Sequence, residues 1–397
     1  QKIKLHHDVK LHKELELMDS FELTFAILKA AIVLFALINI VPVMAWVERR
    51  GMALMQRRLG PNRVGPFGLL QSLADAVKFI FKEDRAPGHV NRFYYHLAPF
   101  IAVVPAFMAF AVIPFASSIE LSGRIVEFQV ADLNVGLLYV FAIGSLAVYG
   151  LMLGAWSSNS KYALFGGLRG TAQMVSYELA MGLSIIGLIM TFSSVDLMTI
   201  VRSQGEMWQL GPIPVPKWGI FLQPLGGLIF LIALFAETNR LPFDFAEGES
   251  EIVAGYHLEY GSMKFALFMM AEYVHLTTAS ALMATLYFGG WQFLPGMAMM
   301  VEPLGGFLYW AYSGLGEFAP FLPFMGQELA TDWARVFMEV ASFSIKVGAF
   351  LWFFVHVRWS LPRFRYDQAM FFGWKVLLPL SLANIGLTGL MIYWNVI

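Results

Sequence analysis

The feature that most constrains this chain is the recurrence of apolar stretches about as long as a membrane is thick. A membrane-spanning helix needs roughly 20 mostly apolar residues, and only 14% of the 397 residues are charged. The sequence therefore predicts an all-α, polytopic integral membrane protein with about eight transmembrane helices. The predicted spans lie near 22–47, 97–117, 134–154, 171–192, 218–237, 264–289, 334–357 and 372–394.

Charge and cysteine content exclude several classes of function. The net charge of −1 gives no basic field that would attract nucleic acid. The chain has no cysteine, so it forms no disulfide and holds no iron–sulfur cluster through thiolates. No span carries two histidines, and no Walker loop or dinucleotide fingerprint is present. We therefore expect no metal, no haem and no nucleic-acid partner on this chain.

The distribution of Lys and Arg predicts the orientation in the membrane. These residues concentrate in the connections after the first, third, fifth and seventh spans, and cytoplasmic loops carry such an excess. The basic loops are therefore placed in the cytoplasm or the mitochondrial matrix, with both termini outside. We divide the chain into a polar N-terminal extension, 1–21, and a single membrane domain, 22–397. The outer connection 290–333 has no Lys or Arg and is interpreted as an interfacial or re-entrant excursion.

The first basic loop contains a predicted amphipathic helix. Two Gly-Pro pairs, at 60–61 and 65–66, enforce turns. In the next segment, 69–82, four polar residues recur at helical spacing and share one face, namely Gln71, Asp75, Lys78 and Lys82. Such a helix lies in the membrane interface with its apolar side down. It is either a surface anchor or a wall around an opening through which a lipid-like molecule leaves the bilayer.

Acidic residues mark the third basic loop and several spans. If residues 244–251 are helical, Asp244, Glu247 and Glu251 share a face, and crowding raises the pKa of one of them. Three further acids, Glu178, Glu237 and Glu272, fall inside apolar spans, where an ionised carboxylate costs about 2.5–3.5 kcal/mol. The loop acids are explained equally well as solvated residues. The acids within spans are typical of a proton or ion path.

The last basic loop, 358–368, contains Arg358, Arg363 and Arg365. These arginines either fix the orientation in the membrane or form a clamp for a phosphate, a carboxylate or a partner protein.

The loop motifs closely resemble one family over residues 22–395. They are similar to those of the quinone-tunnel membrane subunits of respiratory complex I (NADH:quinone oxidoreductase), which are the H subunit in bacteria and subunit 1 in mitochondria. The matching stretches are 48–50, 60–66, 74–78, 172–178, 237–244, 246–251, 270–273 and 362–368. The chain departs from the family pattern in its longer polar N-terminal tail and in an apparent insertion at 295–332.

The resemblance implies a set of functional residues. It implies quinone-binding roles for Arg49, Arg58, Leu73, Asp75, Ala76, Lys78, Met269, Met270, Arg358, Arg363 and Arg365. It implies a proton path through Glu178, Glu237, Asp244, Glu247, Glu249, Glu251, Glu259 and Glu272. The chain itself would carry no catalytic residue.

The resemblance also implies substrates, partners and location. Ubiquinone or menaquinone would be the substrate, and FMN and iron–sulfur clusters would lie on partner subunits. The partners would be the other membrane-arm subunits, the peripheral quinone-reducing module and membrane lipids. The location would be the bacterial plasma membrane or, alternatively, the mitochondrial inner membrane. Reduction of the quinone would change the protonation of the loop acids, and the buried acids would pass that change to neighbouring subunits.

Two other functions remain open on the sequence. The chain could be an ion-coupled secondary transporter, although such proteins often contain internal repeats and none is evident here. It could also be a membrane anchor, as in a related hydrogenase complex.

Overall fold

The computed structural model describes residues 20–121, 123–210, 213–294, 296–315 and 327–394, and most of them are helical. Two antiparallel hairpins pair β1 (Ala116–Leu121) with β2 (Arg124–Phe128), and β3 (Met207–Leu210) with β4 (Ile213–Pro216). The helices are α1 (Ser20–Met55), α2 (Gln71–Phe81), α3 (Arg92–Ala109), α4 (Gly136–Ser157), α5 (Lys161–Phe192), α6 (Leu197–Gln204), α7 (Gly219–Leu222), α8 (Pro224–Glu237), α9 (Glu249–Ile252), α10 (Ser262–Tyr287), α11 (Val301–Leu315), α12 (Gln327–Ser360), α13 (Tyr366–Phe372) and α14 (Leu378–Tyr393).

The described helices confirm the polytopic all-α class. Seven helical segments are long and apolar enough to cross a membrane: α1, α3, α4, α5, α10, α12 and the continuous segment from α13 to α14. The predicted span 218–237 is present as two helices, because Gln223 leaves helical geometry and Pro224 begins α8. At 14 residues, α8 is a shorter apolar helix than the other seven.

Several local features differ from the sequence expectations or add to them. Helix α1 continues to Met55, so residues 48–50 lie in its last turns instead of in a loop. Most of residues 244–251 is not helical, because α9 begins only at Glu249. The two hairpins were not predicted, since each strand is only four to six residues long.

Two expectations depend partly on residues outside the described part of the chain. Of the N-terminal extension, only residues 20 and 21 are described, within α1. Of the excursion around 295–332, the described part contains α11, which packs against α12. Neither helix length nor composition makes α11 a candidate span. The predicted amphipathic helix forms as α2, and its position in the membrane interface stays a prediction.

Helix α10 lies at the centre of the bundle and contacts α1, α2, α3, α8 and α12. Its second half is buried on all sides, although it contains hydroxyl side chains. The hydroxyls of the four Ser and Thr residues in that half each donate a hydrogen bond to the carbonyl four residues earlier, which removes the cost of an unpaired polar group in an apolar surrounding. These residues are Thr277, Thr278, Ser280 and Thr285.

Hydrogen bonds between loops hold one end of the bundle together. The amide of Asn91 donates to the carbonyl of Ser157 at 3.0 Å, and that of Phe364 to Pro242 at 3.2 Å. The hydroxyl of Ser262, at the start of α10, donates to the carbonyls of Phe79 and Lys82 at 2.9 Å each. The C-terminus of α2 is therefore attached to the N-terminus of α10. We call this end, formed by loops 56–70, 82–91, 158–160, 238–261 and 361–365, the basic face.

Close helix packing makes a specific stability prediction at Gly150. A Cβ atom at this position would lie 2.6 Å from the amide nitrogen of Ala102 on α3. Gly150→Ala should therefore separate α3 from α4 and lower the free energy of unfolding by about 1–3 kcal/mol. The propensity gain of alanine in a helix, about 1 kcal/mol, offsets only part of that loss.

The matched control is Gly182→Ala in α5, where no atom lies within 4 Å of the added Cβ. We expect this variant to be as stable as the parent or more stable. Thermal unfolding in detergent measures both variants. Equal melting temperatures for the two would contradict the close contact at Gly150.

Candidate functional site: a buried charge cluster and two acid-lined cavities

The centre of the site is a cluster of four charged side chains from four parts of the chain. Arg240 is only 3% exposed and lies between two carboxylates: its Nη1 is 2.7 Å from Glu48 Oε1, and its Nε is 2.7 Å from Glu272 Oε1. Arg358 Nη1 lies 2.5 Å from the same oxygen of Glu48. Two guanidinium groups therefore face two carboxylates, and the cluster is balanced in charge.

A tyrosine completes the cluster. The hydroxyl of Tyr273 donates a hydrogen bond to Glu48 Oε2. The guanidinium of Arg240 lies over the Tyr273 ring, 4.7 Å from its centroid. This cation–π contact stabilises a guanidinium that has little access to water. We call Glu48, Arg240, Glu272, Tyr273 and Arg358 the charge cluster.

The local backbone explains how the charge cluster is assembled. Glu48 is presented by the last turns of α1, which continues beyond the apolar stretch. Much later in the sequence, the chain leaves α8 in a tight turn, in which the amide of Arg240 donates a hydrogen bond to the carbonyl of Phe235 at 3.2 Å. That turn directs Arg240 towards α10, where Glu272 and Tyr273 are adjacent in sequence.

Two neighbouring cavities lie within the bundle, and the first of them borders the charge cluster at Glu272. The first, about 60 Å³, is lined by Glu247, Tyr256 and Glu272, among other residues. The second, about 40 Å³, is lined by Ser145 and Glu178, among other residues. Both volumes exceed the roughly 10–15 Å³ that one water molecule needs.

Two titratable side chains, Glu237 and His275, line both cavities. The structure thus brings four of the predicted proton-path acids together along one route: Glu178, Glu237, Glu247 and Glu272. In the second cavity, the Ser145 hydroxyl donates a hydrogen bond to the Glu178 carboxylate.

Two of the other predicted acids form ion pairs at the basic face. Asp244 Oδ2 is 2.6 Å from Arg363 Nη2, and Glu251 Oε2 is 2.6 Å from Arg169 Nη1. Glu259 Oε2 lies 3.8 Å from the ring of His89. The side chain of Glu249 lies outside the described part of the structure.

Asp244 is the loop acid most affected by its surroundings. Burial, together with the charge of Glu247, raises the pKa of Asp244 to about 7, although Arg363 acts in the opposite direction. Its Oδ1 atom has no hydrogen-bond partner among the described residues. This carboxyl group therefore changes protonation near neutral pH.

Some of the predicted quinone-binding residues contact one another or the charge cluster, and others do neither. Arg49 Nη1 lies 2.6 Å from Asp75 Oδ2, and Lys78 Nζ lies 3.7 Å from Asp75 Oδ1. Burial favours a higher pKa for Asp75. The hydrogen bonds from Arg49 and Gln71, together with the positive charges of Arg49 and Lys78, outweigh burial, so the pKa of Asp75 lies below its ordinary value. Arg358 belongs to the charge cluster.

The remaining predicted quinone-binding residues are more dispersed. Met269 and Met270 are half-buried on α10, and Leu73 and Ala76 are exposed on α2. Arg58 is exposed and bonds to Gln56 at 2.7 Å. Arg365 is exposed and pairs with Asp367, two residues along the chain, at 2.5 Å.

Sequence reasoning missed four residues of the site as functional candidates. These residues are Glu48, Arg240, Tyr273 and His275. Arg240 was detectable in principle, because an acid-rich loop with few cations must pair a buried carboxylate with one of them. His275 follows Glu272 by three positions and so shares its helical face. Glu48 and Tyr273 carried no comparable signal.

Among the described residues, no group of three or more His, Asp or Glu side chains could hold a metal ion. The fold and the site together define a class: a polytopic helical membrane protein with charged groups buried between its spans, leading into acid-lined cavities.

The comparisons with known proteins specify the family. The NADH dehydrogenase family matches residues 28–389. The chain is 42% identical to the H subunit of the NADH-quinone oxidoreductase of Bdellovibrio bacteriovorus, over 94% of this chain and 98% of the relative. It is 42% identical to the H subunit of Thermomicrobium roseum, over 96% and 99%, respectively. The H subunit of Flavobacterium psychrophilum is 42% identical, over 92% and 97%. This chain belongs to the NADH dehydrogenase family.

The titration of Asp244 gives a pH prediction. Because its pKa in the folded protein lies above the ordinary value of 3.8, folding favours the protonated carboxyl. Its contribution to stability is complete below pH 3.8 and is lost as the pH rises through about 7. Asp244→Asn should flatten the dependence of stability on pH across this window.

Infrared difference spectroscopy measures the same group directly. We expect a protonated-carboxyl band that titrates with a midpoint near 7 and is absent in Asp244→Asn. The control is Asp75→Asn, since the pKa of Asp75 is lowered and its group is already ionised at neutral pH. A band that persists in Asp244→Asn would contradict the assignment.

Proposed function

We propose that this chain is the membrane subunit of a proton-pumping NADH–quinone oxidoreductase. It forms the quinone entry tunnel at the junction with the peripheral arm and couples quinone reduction to proton translocation. The relatives' names support the first statement. The observation that carries the second is the charge cluster, which connects a residue of the predicted quinone site to the acid-lined cavities.

The basic face has the chemistry that a quinone entrance needs. A quinone carries a long apolar tail and a polar head, so its opening must offer both kinds of surface. On α2, the apolar side chains of Leu73, Val77 and Ile80 are exposed, while Asp75 pairs with Arg49. The apolar side chains of α2 would cover the tail, and the nearby arginines would face the head.

Direct contacts form a series from Arg358, a residue of the predicted quinone site, into the bundle. Arg358 contacts Glu48, and Glu48 and Glu272 both contact Arg240. Glu272 lines the first cavity, which shares Glu237 with the second cavity. A change of charge at the quinone head would disturb the balance of the charge cluster. Protons would then redistribute among the acids of the cavities, and neighbouring membrane subunits would receive them.

The electron carriers belong to partner subunits in this proposal. A chain without cysteine cannot ligate iron–sulfur clusters through thiolates. FMN and the clusters would therefore lie in the peripheral module, docked on the basic face. We place that face on the cytoplasmic side of the bacterial plasma membrane, in agreement with its excess of Lys and Arg.

An ion-coupled transporter is the alternative that one observation favours. The interruption at Gln223, between α7 and α8, is of the kind that forms ion sites in transporters. A transporter would function without redox partners. Co-purification of the chain with iron–sulfur subunits, together with quinone-dependent NADH oxidation, would exclude this alternative.

The coupling role predicts the effect of removing a buried acid. Glu237→Gln and Glu272→Gln retain the volume of the side chain but cannot exchange a proton. We expect NADH-driven proton uptake into proteoliposomes containing the assembled complex to fall about tenfold or more. NADH oxidation by a hydrophilic acceptor, which bypasses the membrane, should be unchanged.

The control is Glu206→Gln, an exposed acid that pairs with Lys217 at 2.7 Å far from the cavities. It should pump like the parent. Unchanged pumping in assembled Glu237→Gln and Glu272→Gln complexes would remove these acids from the mechanism.

The tunnel role predicts the effect of a bulky side chain on α2. Ala76→Phe should narrow the path beside the quinone tail, so that kcat/KM for a long-tailed quinone falls about tenfold while that for a short-tailed analogue changes little. Ala74→Phe is the control, because Ala74 is also exposed but lies on a different face of α2. Equal slowing of both quinones would argue against a tunnel wall at Ala76.

A further inference from the structure

His275 occupies the connection between the two cavities. It lies on α10 and lines both of them. Its side chain is 15% exposed, and its Nε2 atom is 3.8 Å from Glu237 Oε1. The Nδ1 atom is buried and has no hydrogen-bond partner among the described residues. An imidazole therefore stands where one acid-lined cavity passes into the next.

The acids on the two sides of His275 are not joined by direct hydrogen bonds within the described structure. Among the described residues, Glu237 Oε2 is buried without a partner, and the Glu178 carboxylate, which also lines the second cavity, accepts a hydrogen bond from Ser145. The Cε1 atom of His275 faces Gly144 of that cavity and lies 3.9 Å from where a Cβ on Gly144 would be. The ring thus extends from Glu237 into the space that Glu178 lines.

A buried polar atom without a hydrogen-bond partner destabilises the folded protein. Two such atoms, Glu237 Oε2 and His275 Nδ1, lie within one contacting pair of residues. Cavity water and an exchangeable proton would satisfy both atoms. A purely structural pair would be expected to use direct hydrogen bonds on at least one of them.

The charged side chains that line the two cavities with His275 are all acids. Glu237 faces it from α8, Glu178 from α5, and Glu272 lies one turn earlier on α10. Glu247 lines the first cavity from the loop before α9. Neither described cavity lining includes a Lys or Arg. Carboxyl groups that can give or take a proton therefore lie on both sides of the ring.

We propose that His275 relays protons between Glu237 and Glu178. This inference rests on the proposed function, because it adds a member to the proton path. The neutral ring takes a proton at Nε2 from the Glu237 carboxyl, which leaves an imidazolium and a carboxylate. The ring then releases its Nδ1 proton through water of the second cavity to the Glu178 carboxylate. Exchange of tautomers through that water returns the ring to its starting state.

The test replaces the imidazole by a side chain that cannot carry a proton. In the complete complex, reconstituted in proteoliposomes, His275→Gln should lower NADH-driven proton uptake about tenfold or more. NADH oxidation by a hydrophilic acceptor, which bypasses the membrane, should not change, and co-purification of the chain with its partner subunits shows that the complex is assembled. The control is His356→Gln, an exposed histidine on α12, and it should pump like the parent.

Chemical rescue separates a relay from a structural role. His275→Ala leaves space beside Glu237, and imidazole in the buffer should restore a part of the pumping in proportion to its concentration. Phosphate of the same pH and ionic strength should not. A side chain that only supported packing would give a loss that imidazole cannot repair.

Parallel measurement of Glu237→Gln distinguishes the two levels of the proposal. If Glu237→Gln loses pumping while His275→Gln pumps normally, the relay is wrong and the proposed function stands. If both variants pump normally, the proton path itself is wrong. Loss in His275→Gln without imidazole rescue of His275→Ala would also overturn the relay.

Discussion

The interaction on which the structure depends is the placement of Arg240 between two carboxylates in a nearly dry environment. Removing one partner from such a buried set leaves an uncompensated charge and typically costs about 3–5 kcal/mol. The charge cluster avoids this cost because two guanidinium groups face two carboxylates. Its members come from α1, α10, α12 and the turn after α8, so these elements must meet at one place for the bundle to be stable.

The charge cluster also connects the basic face with the acid-lined cavities. It belongs to the basic face through Arg240, in loop 238–261, and borders the first cavity through Glu272. Electrostatic interactions are stronger where water is excluded, so a charge change at one end is felt at the other. In the proposed proton path, protons move between acids that are not directly hydrogen-bonded in the described structure, and the cavities with His275 provide the intervening space and an additional exchangeable group.

Rigid attachment of α2 gives the basic face its defined geometry. At one end of α2, Ser262 of α10 bonds to the carbonyls of Phe79 and Lys82, while nearer its start Asp75 pairs with Arg49 of α1. The turn before α2 is held in the same way, since Arg50 donates to the carbonyls of Pro61 and Phe67. The apolar side chains on α2 are thus presented by a fixed helix.

The sequence by itself determined the features that depend only on short, continuous stretches of the chain. Hydropathy predicted the spans, helical spacing predicted α2, and the cost of charge in an apolar stretch identified Glu178, Glu237 and Glu272 as exceptional. Tertiary structure alone decided which charges meet: Glu48 lies 192 residues from Arg240 and 310 from Arg358. It also decided the break at Gln223, the non-helical course of most of 244–251 and the place of His275 between the cavities. Such pairings depend on how helices pack, and no local pattern encodes them, because a buried charge requires some partner without specifying where in the chain that partner lies.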